Sequence, residues 1–431
     1  MRSSAVPSSR FARLFQYGGL AMGVGIGTAQ AALSKSIGGN RPAYLSERNV
    51  RRIVETLSRM RGAALKMGQF LSIQDSKTLP QELRDILTRV QNAADYMPWW
   101  QTEATLVESF GHQWKEKFAE FDQMPMAAAS IGQVHRATLH DGTQVAVKIQ
   151  FPGIAKSITA DVGYIKSLLT VSSLLPKGLF LDKSIGVLSR ELQEECDYTR
   201  EASACRRFYS LLNGVDSPFT VPRVIDSLST DRILTLEYMH GKPLSQMRQA
   251  GQSLRDHIGE LLVTLCLREI FEFRYMQTDP NWSNFLWNEQ TAKLEIVDFG
   301  ASRAYSESFS QHYKEMLLAA QNGQRDACES ISRTLGFLTP DDGPEMINAH
   351  VESVLALAEP FRDDIYDFGH ENITARIRSH IPTILQYRKT APPSESYSLN
   401  RKLSGCFLLC ANLGSRIRCQ SILHNVCAAS G

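Results

Sequence analysis

Thr278-Asp279-Pro280-Asn281-Trp282-Ser283-Asn284 is followed by Leu294-Glu295-Ile296-Val297-Asp298-Phe299-Gly300. An Asp and an Asn stand five residues apart, and a short apolar strand, Ala292 to Val297, then ends in Asp-Phe-Gly. Phosphoryl transfer is mostly positioning and charge neutralisation, so hard oxygen ligands must meet a triphosphate from two sides. In that arrangement Asp279 faces a hydroxyl or water, the Asn284 side-chain oxygen holds one Mg²⁺, and Asp298 holds metal ions on ATP. Asp-Phe-Gly alone occurs by chance, whereas both pieces in this order are much harder to obtain. The plainer alternative is a turn followed by an ordinary buried strand.

The upstream chain supplies the other parts of a kinase-type centre. Val134 to Leu139 and Val145 to Ile149 are strand-like and are joined through the hairpin dipeptide Asp141-Gly142. Val145-Ala146-Val147-Lys148 resembles the kinase lysine strand, whose ammonium bridges the α- and β-phosphates of ATP. A lone lysine on an apolar strand could also be an edge residue. Its place after a hairpin and before the Asp/Asn set favours the functional reading. The preceding loop departs from the kinase pattern: Ala127-Ala128-Ala129-Ser130 stands where Gly-x-Gly-x-x-Gly is usual. Each Cβ restricts the backbone and blocks close approach to phosphates. The expectation is a differently shaped nucleotide cradle around Ala128, Ala129 and Ser130, with altered nucleotide preference or slow transfer.

Helices are expected over roughly Ala155 to Leu175 and Ser184 to Leu212. The second contains Glu194-Glu195-Cys196-Asp197-Tyr198-Thr199-Arg200-Glu201-Ala202. A kinase needs one carboxylate here to pair with the strand lysine. At 100° per residue Glu194, Asp197 and Glu201 share a face and Glu195 lies about a third of a turn from Glu201, so geometry does not choose among them. Val221 to Ile225 and Arg232 to Leu236 read as strands leading into Glu237-Tyr238-Met239-His240-Gly241. Leu236, Glu237, Tyr238 and Met239 fit a hinge whose backbone binds the adenine edge. Leu254 to Phe273 is an apolar helix, with Ile258, Leu261, Leu262, Leu265 and Ile270 in register, delivering the chain to Asp279. Gln277-Thr278-Asp279 replaces His-Arg-Asp, and neither an Ala-Pro-Glu segment nor a long activation loop follows. A switchable protein kinase is therefore disfavoured.

Residues 1–45 differ in composition. They carry Arg2, Arg10, Arg13, Lys35 and Arg41 and no acid before Glu47, as a mitochondrial presequence does. Tyr17 to Leu33 is apolar apart from Thr28 and Gln30, and would reach about 26 Å as a helix, marginal for a bilayer core. Gly19, Gly23 and Gly27 share one face that permits close helix–helix approach and a homodimer. A glycine-weakened amphipathic segment or part of a cleaved leader are the alternatives. Ala29-Gln30-Ala31 resembles a secretory cleavage site, but an ATP site has little use in a secreted chain. Ser46 to Ile73 has helical periodicity with Ser46 as N-cap, and ends in Lys66-Met67-Gly68-Gln69. From periodicity alone Lys66 is a solvated lysine. Trp99 and Trp100 read as packing anchors. The net charge of +2 gives no basic stripe for nucleic acid. The eight cysteines contain no C-x-x-C and fit no common zinc spacing, and Cys406 and Cys410, one helical turn apart, read as buried small hydrophobes in a reducing compartment.

Four stretches together resemble the UbiB family of atypical kinases, also called the aarF-domain-containing kinases, and more narrowly its mitochondrial coenzyme Q members. They are Ala64-Leu65-Lys66-Met67-Gly68-Gln69, Ala127-Ala128-Ala129-Ser130, Glu195-Cys196-Asp197-Tyr198-x-Arg200-Glu201-Ala202 and Thr278 to Asn284. The resemblance runs from about Gly19 to the C-terminus. It implies that Lys66, Gly68 and Gln69 belong to an N-terminal helix lying across the cleft. It implies that Glu195 and Asp197 hold Lys66 there, and that Glu201 pairs with Lys148. It further implies adenine nucleotide (ATP or ADP) with Mg²⁺, and a role in ubiquinone biosynthesis at the matrix face of the mitochondrial inner membrane. The family's glycine-bearing membrane segment corresponds to Tyr17 to Leu33; only about sixteen residues precede it, a short presequence.

The expected fold is α+β, two-lobed and protein-kinase-like. A presequence-like and membrane segment occupies 1–45, a helical extension 46–125, the N-lobe with inserted helices 126–240 and the C-lobe 241–431. Two functions fit. One is an ATPase or small-molecule or lipid kinase serving coenzyme Q assembly, with biosynthetic enzymes and membrane lipid or quinone intermediates as partners. The other is a nucleotide-binding pseudokinase scaffold for those enzymes.

Overall fold

The computed structural model describes residues 47–60, 96–129, 131–171, 181–371, 373–390 and 392–429, with Gly19 and Arg89 singly. The expectations for Lys66, Gly68, Gln69, Ser130, Gly23, Gly27 and the end of the Ser46–Ile73 helix lie outside these residues. The chain divides into two compact units, the first drawing on Met1–Pro176, Leu181–Ala202 and Val224–Tyr238, the second on Ser203–Arg223 and Met239–Gly431. The chain passes between them at Tyr238 and Met239, inside the stretch expected to be a hinge.

Among the described residues the α-helices that come before the sheet in the first unit are α1 (Glu47–Met60) and α2 (Trp99–Phe110). Its sheet contains β1 (Glu120–Phe121), β2 (Ala127–Ala128), β3 (Gly132–Thr138) and β4 (Gln144–Gln150). After it come α3 (Ile154–Val171), α4 (Leu181–Glu195) and α5 (Tyr198–Leu212), whose first turn belongs to this unit. The chain then visits the second unit, where Phe219–Thr220 forms β5, and returns as β6 (Ile233–Glu237). All pairings in the sheet are antiparallel, with β3 beside β1, β2 and β4, and β4 beside β6. The β3–β4 turn uses Gly142 at φ +84°, a conformation that costs glycine little, and Asp141 Oδ1 accepts from the Thr143 amide at 2.9 Å. Val145, Val147 and Ile149 are fully buried on one face of β4. The two-residue period of a strand therefore turns Lys148 to the other face.

Buried Gln133 ties α2 to β3. Its Oε1 accepts from the Met97 amide at 2.7 Å and its Nε2 donates to Thr102 Oγ1 at 2.9 Å. His135 stacks on Phe121, and burial pushes its pKa down. The neutral ring donates from Nδ1 to the Asp122 carbonyl at 2.8 Å and presents Nε2 to Gln133. Trp99 packs beside Trp114 and Phe121, whereas Trp100 is 63% exposed and anchors nothing. On a helix neighbouring residues point about 100° apart, so only one of the pair can face the sheet.

In the second unit β7 (Lys242–Pro243) is followed by α6 (Gln252–Phe271), then β8 (Tyr275–Gln277), β9 (Phe285–Asn288), β10 (Lys293–Ile296) and β11 (Ser302–Ala304). The C-terminal half is helical: α7 (Glu307–Gln321), α8 (Arg325–Thr334) and α9 (Pro344–Leu357), then, after β12 (Tyr366–Asp367), α10 (Ile373–Tyr387) and α11 (Ser394–Leu413), and after β13 (Arg416–Ile417), α12 (Cys419–Ala429). Helix α6 buries Ile258, Leu261, Leu262, Leu265 and Ile270, each contributing roughly 1.5–3 kcal/mol, and packs on α11 and α12. Seven of the eight cysteines are buried and all are free thiols, in keeping with their reading as small apolar residues.

Two expectations about elements are corrected. The helix expected over Ser184–Leu212 is two helices, broken at Cys196-Asp197 because the Asp197 side chain caps α5. The strand expected over Val221–Ile225 is instead β5 at Phe219–Thr220, which pairs in parallel with Leu294–Glu295 of β10; Val224 makes only an isolated bridge to Leu236.

Candidate active-site residues

The first group is built on β4 and α5. Lys148 Nζ donates to Glu201 Oε1 at 2.7 Å and to Oε2 at 2.9 Å. It also sits 5.3 Å from the centre of the Tyr198 ring, near enough for a cation–π contact. The open choice among four carboxylates closes on Glu201. The helix break is what decides it: Asp197 Oδ1 accepts from the amides of Thr199 at 3.0 Å and Arg200 at 3.1 Å and from the Thr199 hydroxyl. Asp197 is thus the N-cap of α5, and the Glu201 amide donates to the Asp197 carbonyl at 3.1 Å. Glu194, Asp197 and Glu201 do not share one helix face, because no single helix carries them.

The Thr199 hydroxyl outweighs partial burial and, with the two amides, holds the Asp197 carboxyl below its ordinary value. A depressed folded-state pKa gives stability that is full above the unfolded pKa and fades as pH falls through the folded one. Asp197→Ala is expected to cost about 1 kcal/mol near neutrality. In urea melts the cost should shrink toward zero in acid, below both pKa values. A cost independent of pH would mean that the carboxylate is not the cap.

The alanine stretch lies beside this group. Ala127 pairs with Val134 and Ala128 with Gln133. The Ala129 amide donates to the Gly132 carbonyl at 2.8 Å, so its N–H is spent within the hairpin. Near the end of β6 Leu236 lies opposite Ala146 and Glu237 opposite Val145, and the Tyr238 amide donates to the Gln144 carbonyl at 3.0 Å. Tyr238 also carries the Arg136 guanidinium 4.8 Å from its ring centre. Met239 opens the second unit.

The second group is built on β8 to β11. Strand β8 pairs antiparallel with β11, Gln277 opposite Ser302, and the Thr278 amide and hydroxyl both donate to the Ala301 carbonyl. This pairing ties the chain around Asp279 to the chain just after Asp298. The Asp279 carbonyl accepts from Gln277 Nε2 at 2.9 Å and from Asn284 Nδ2 at 3.2 Å. Asn281 caps the short turn Trp282–Asn284, accepting from the Ser283 amide. The Val297 amide donates to the Asn284 carbonyl at 3.1 Å, which brings Asn284 beside the strand end leading into Asp298. Asp298 Oδ1 accepts from the Gly300 amide at 3.0 Å, and Phe299 is buried against Phe208 of α5. The expected strand Ala292–Val297 forms as Lys293–Ile296.

The donor set suits Mg²⁺. Asn284 spends Nδ2 on the Asp279 carbonyl, so Oδ1 is the atom that could ligate a metal, and Asp298 could add a carboxylate. Magnesium takes one or two protein oxygens and completes its octahedron with phosphates and water. Among the described residues no group of three or more His, Cys, Asp or Glu could hold a metal, so no zinc-like cage competes. From Gly300 only a few residues, including β11, lead to α7 at Glu307, too few for a switchable activation loop. The structural roles of Gln277, Tyr198 and Phe208 were not read from the sequence. Gln277 showed only as a departure from His-Arg-Asp, and the two aromatics looked like ordinary core residues.

Residues 89–332 match the ABC1 atypical kinase-like domain. The chain is 48% identical over 435 residues to the atypical kinase COQ8, mitochondrial, of Saccharomyces cerevisiae, covering 99% of this chain and 87% of that one. It is 46% identical over 430 residues to the atypical kinase COQ8B, mitochondrial, of Danio rerio, covering 98% of this chain and 69% of that one. The solved complex of Rv3197 with erythromycin from Mycobacterium tuberculosis shares the fold, with a TM-score of 0.60 at 24% identity over 88% of this chain and 96% of that one. A lysine clamped by a helix carboxylate, an Asp/Asn loop followed by Asp-Phe-Gly, and relatives of this extent agree: the chain belongs to the ABC1 (UbiB) family of atypical kinases.

Proposed function

We propose that the chain is a Mg²⁺-dependent ATPase, or a kinase for a small molecule or lipid, that supports coenzyme Q biosynthesis at the matrix face of the mitochondrial inner membrane. The observation that carries the reading is the Lys148–Glu201 pair, with both carboxylate oxygens on one ammonium and Glu201 almost fully buried. Burying two charges is costly, and an apolar pair would stabilise the fold as well. Holding an ammonium ready for phosphate oxygens gives the pair a use. Lys148 would take the α- and β-phosphates, and Leu236 to Met239 would face the adenine. Asp279 would accept the proton of the attacking hydroxyl or water as the γ-phosphoryl group leaves ADP. Bound Mg²⁺, held by Asn284 and Asp298, would neutralise charge on the phosphate oxygens.

The spent Ala129 amide supports a nucleotide cradle unlike that of a protein kinase, and the short segment after Asp298 supports an acceptor other than a protein. The names of the relatives support the mitochondrial and coenzyme Q assignment. Its partners would be coenzyme Q enzymes, membrane lipid or quinone intermediates, and a second copy through Gly19, Gly23 and Gly27. Among the described residues no helix is long and apolar enough to cross a membrane, and nearly all of the apolar stretch Tyr17–Leu33 lies outside them.

Phosphate release by the full chain tests this, with ATP and Mg²⁺, with and without vesicles and quinone-like phenols. Mg²⁺-dependent release that rises with vesicles or phenols is expected. Mg²⁺-dependent nucleotide binding with no release under any of these conditions would favour the scaffold reading.

A further inference from the structure

The segment around Asp279 rests on one helix, α11. Arg401, Lys402 and Gly405 point from one side of it, since positions i, i+1 and i+4 fall within about 100°. Lys402 Nζ donates to the Gln277 carbonyl at 2.6 Å and to Gln277 Oε1 at 3.2 Å. It also pairs with Glu269 Oε2 at 2.9 Å, while Glu269 Oε1 accepts from the Gln277 amide at 3.1 Å. Gln277 in turn donates to the Asp279 carbonyl. Arg401 donates from Nε to the Thr278 carbonyl and from Nη2 to Thr278 Oγ1, both at 3.1 Å. Gly405 lies directly against Pro280: a Cβ there would stand 2.1 Å from Pro280 Cγ. Residues on both sides of Asp279 are therefore fixed by the same helix.

The ion pair is deep. Lys402 is 3% exposed and Glu269 1%. Burial pulls the Lys402 pKa down, but Glu269, together with Cys266 and Cys406, more than offsets it and the lysine lies above its ordinary value; burial also raises Glu269, against the pull of Lys402 and of the Gln277 amide. A buried ion pair adds little stability beyond what an apolar pair would give. Its hydrogen bonds do give orientation, and here all of them converge on Gln277.

We infer that α11 is the fixed seat of the Asp279 segment and that Arg401, Lys402 and Gly405 are positioning residues for phosphoryl transfer, an inference that rests on the function proposed above. Kinases with His-Arg-Asp can set this segment through a phosphorylated activation loop. In this chain the arginine is replaced by Thr278 and no such loop is present among the described residues. The seat is built in, and the Asp279 segment would be held in place without a phosphorylated loop.

Two variants of the full chain test this. Gly405→Ala keeps α11 helical, because Ala is the better helix former, but pushes on Pro280. Lys402→Met combined with Glu269→Gln removes the seat without stranding a buried charge. In both, kcat for ATP hydrolysis is expected to fall about a hundredfold, the scale of a 1 Å misplacement, with KM for MgATP within about threefold. Hydrogen exchange over residues 275–285 should quicken while α6 and α7 stay protected. Unchanged kcat in both variants would overturn the inference, as would equal losses in kcat and nucleotide affinity with loosening of the whole unit. If the unaltered chain hydrolyses nothing, the proposed function falls by itself and hydrogen exchange decides the seat: quickening confined to 275–285 supports it, and no change overturns it.

Discussion

Asp279→Asn is expected to lower ATP hydrolysis about a thousandfold while leaving MgATP affinity nearly unchanged. The substitution is close to isosteric, and the Asp279 carbonyl, which accepts from Gln277 and Asn284, is unchanged by it. The loop should keep its shape. What is lost is a carboxylate able to accept a proton, a contribution of about 10²–10⁴ in rate. Lys148 and Glu201 are untouched, so nucleotide should still bind. Single-turnover hydrolysis and calorimetric titration with MgATP separate the two effects. Loss of affinity in parallel with turnover would place Asp279 among the binding groups instead. In respiring cells lacking the native protein, the same variant should fail to restore coenzyme Q; normal levels would make turnover dispensable and favour the scaffold.

Lys148→Met should damage both folding and binding. Glu201 is 2% exposed, and without the ammonium its carboxylate is buried with neither of its two Lys148 hydrogen bonds. Removing one partner of a buried pair costs about 3–5 kcal/mol. A further Glu201→Leu change removes the stranded charge and should recover most of that stability, because apolar replacement of a buried pair is often neutral. Nucleotide affinity should not return, since the ammonium proposed to take the α- and β-phosphates is gone. Denaturant melts and calorimetry on the single and double variants show whether stability and binding separate. Recovery of both in the double variant would mean that the pair serves packing alone.

The parts of the fold that could be read from the sequence are those fixed by short spacings. Strand β4 alternates Val, Ala, Val, Lys, so its register and the outward direction of Lys148 follow from the period of a strand. The Asp279, Asn284 and Asp298 group lies within one hairpin-sized stretch, and its spacing survives without knowledge of the rest. The helix break at Asp197 is not visible in the sequence because residues 184–212 have continuous helical character. Asp197 looked like one more helix acid until its hydrogen bonds to Thr199 and Arg200 showed it to be a cap. The place of strand β5 is not legible locally because it is set by parallel pairing with Leu294 and Glu295, far along the chain. Trp100 looks the same as Trp99 in sequence; only helix phase separates them.

The choice of Glu201 came from resemblance, and the structure gives it a geometric reason. The α11 seat could not be read at all. Arg401 and Lys402 bond residues more than a hundred positions earlier. The one local sign was a charged Lys402 among Leu399, Leu403, Cys406 and Cys410, all of which are buried.

The proposed function requires one MgATP to reach Lys148 as well as Asn284 and Asp298. The most direct test is a crystal structure of the full chain with a non-hydrolysable ATP analogue and Mn²⁺, located by its anomalous signal. The account expects Mn²⁺ ligated by Asn284 Oδ1 and the Asp298 carboxylate, with Lys148 Nζ hydrogen-bonded to phosphate oxygens of the same nucleotide. Mn²⁺ on other ligands, or a nucleotide that reaches Lys148 without a metal at Asn284 and Asp298, would contradict it.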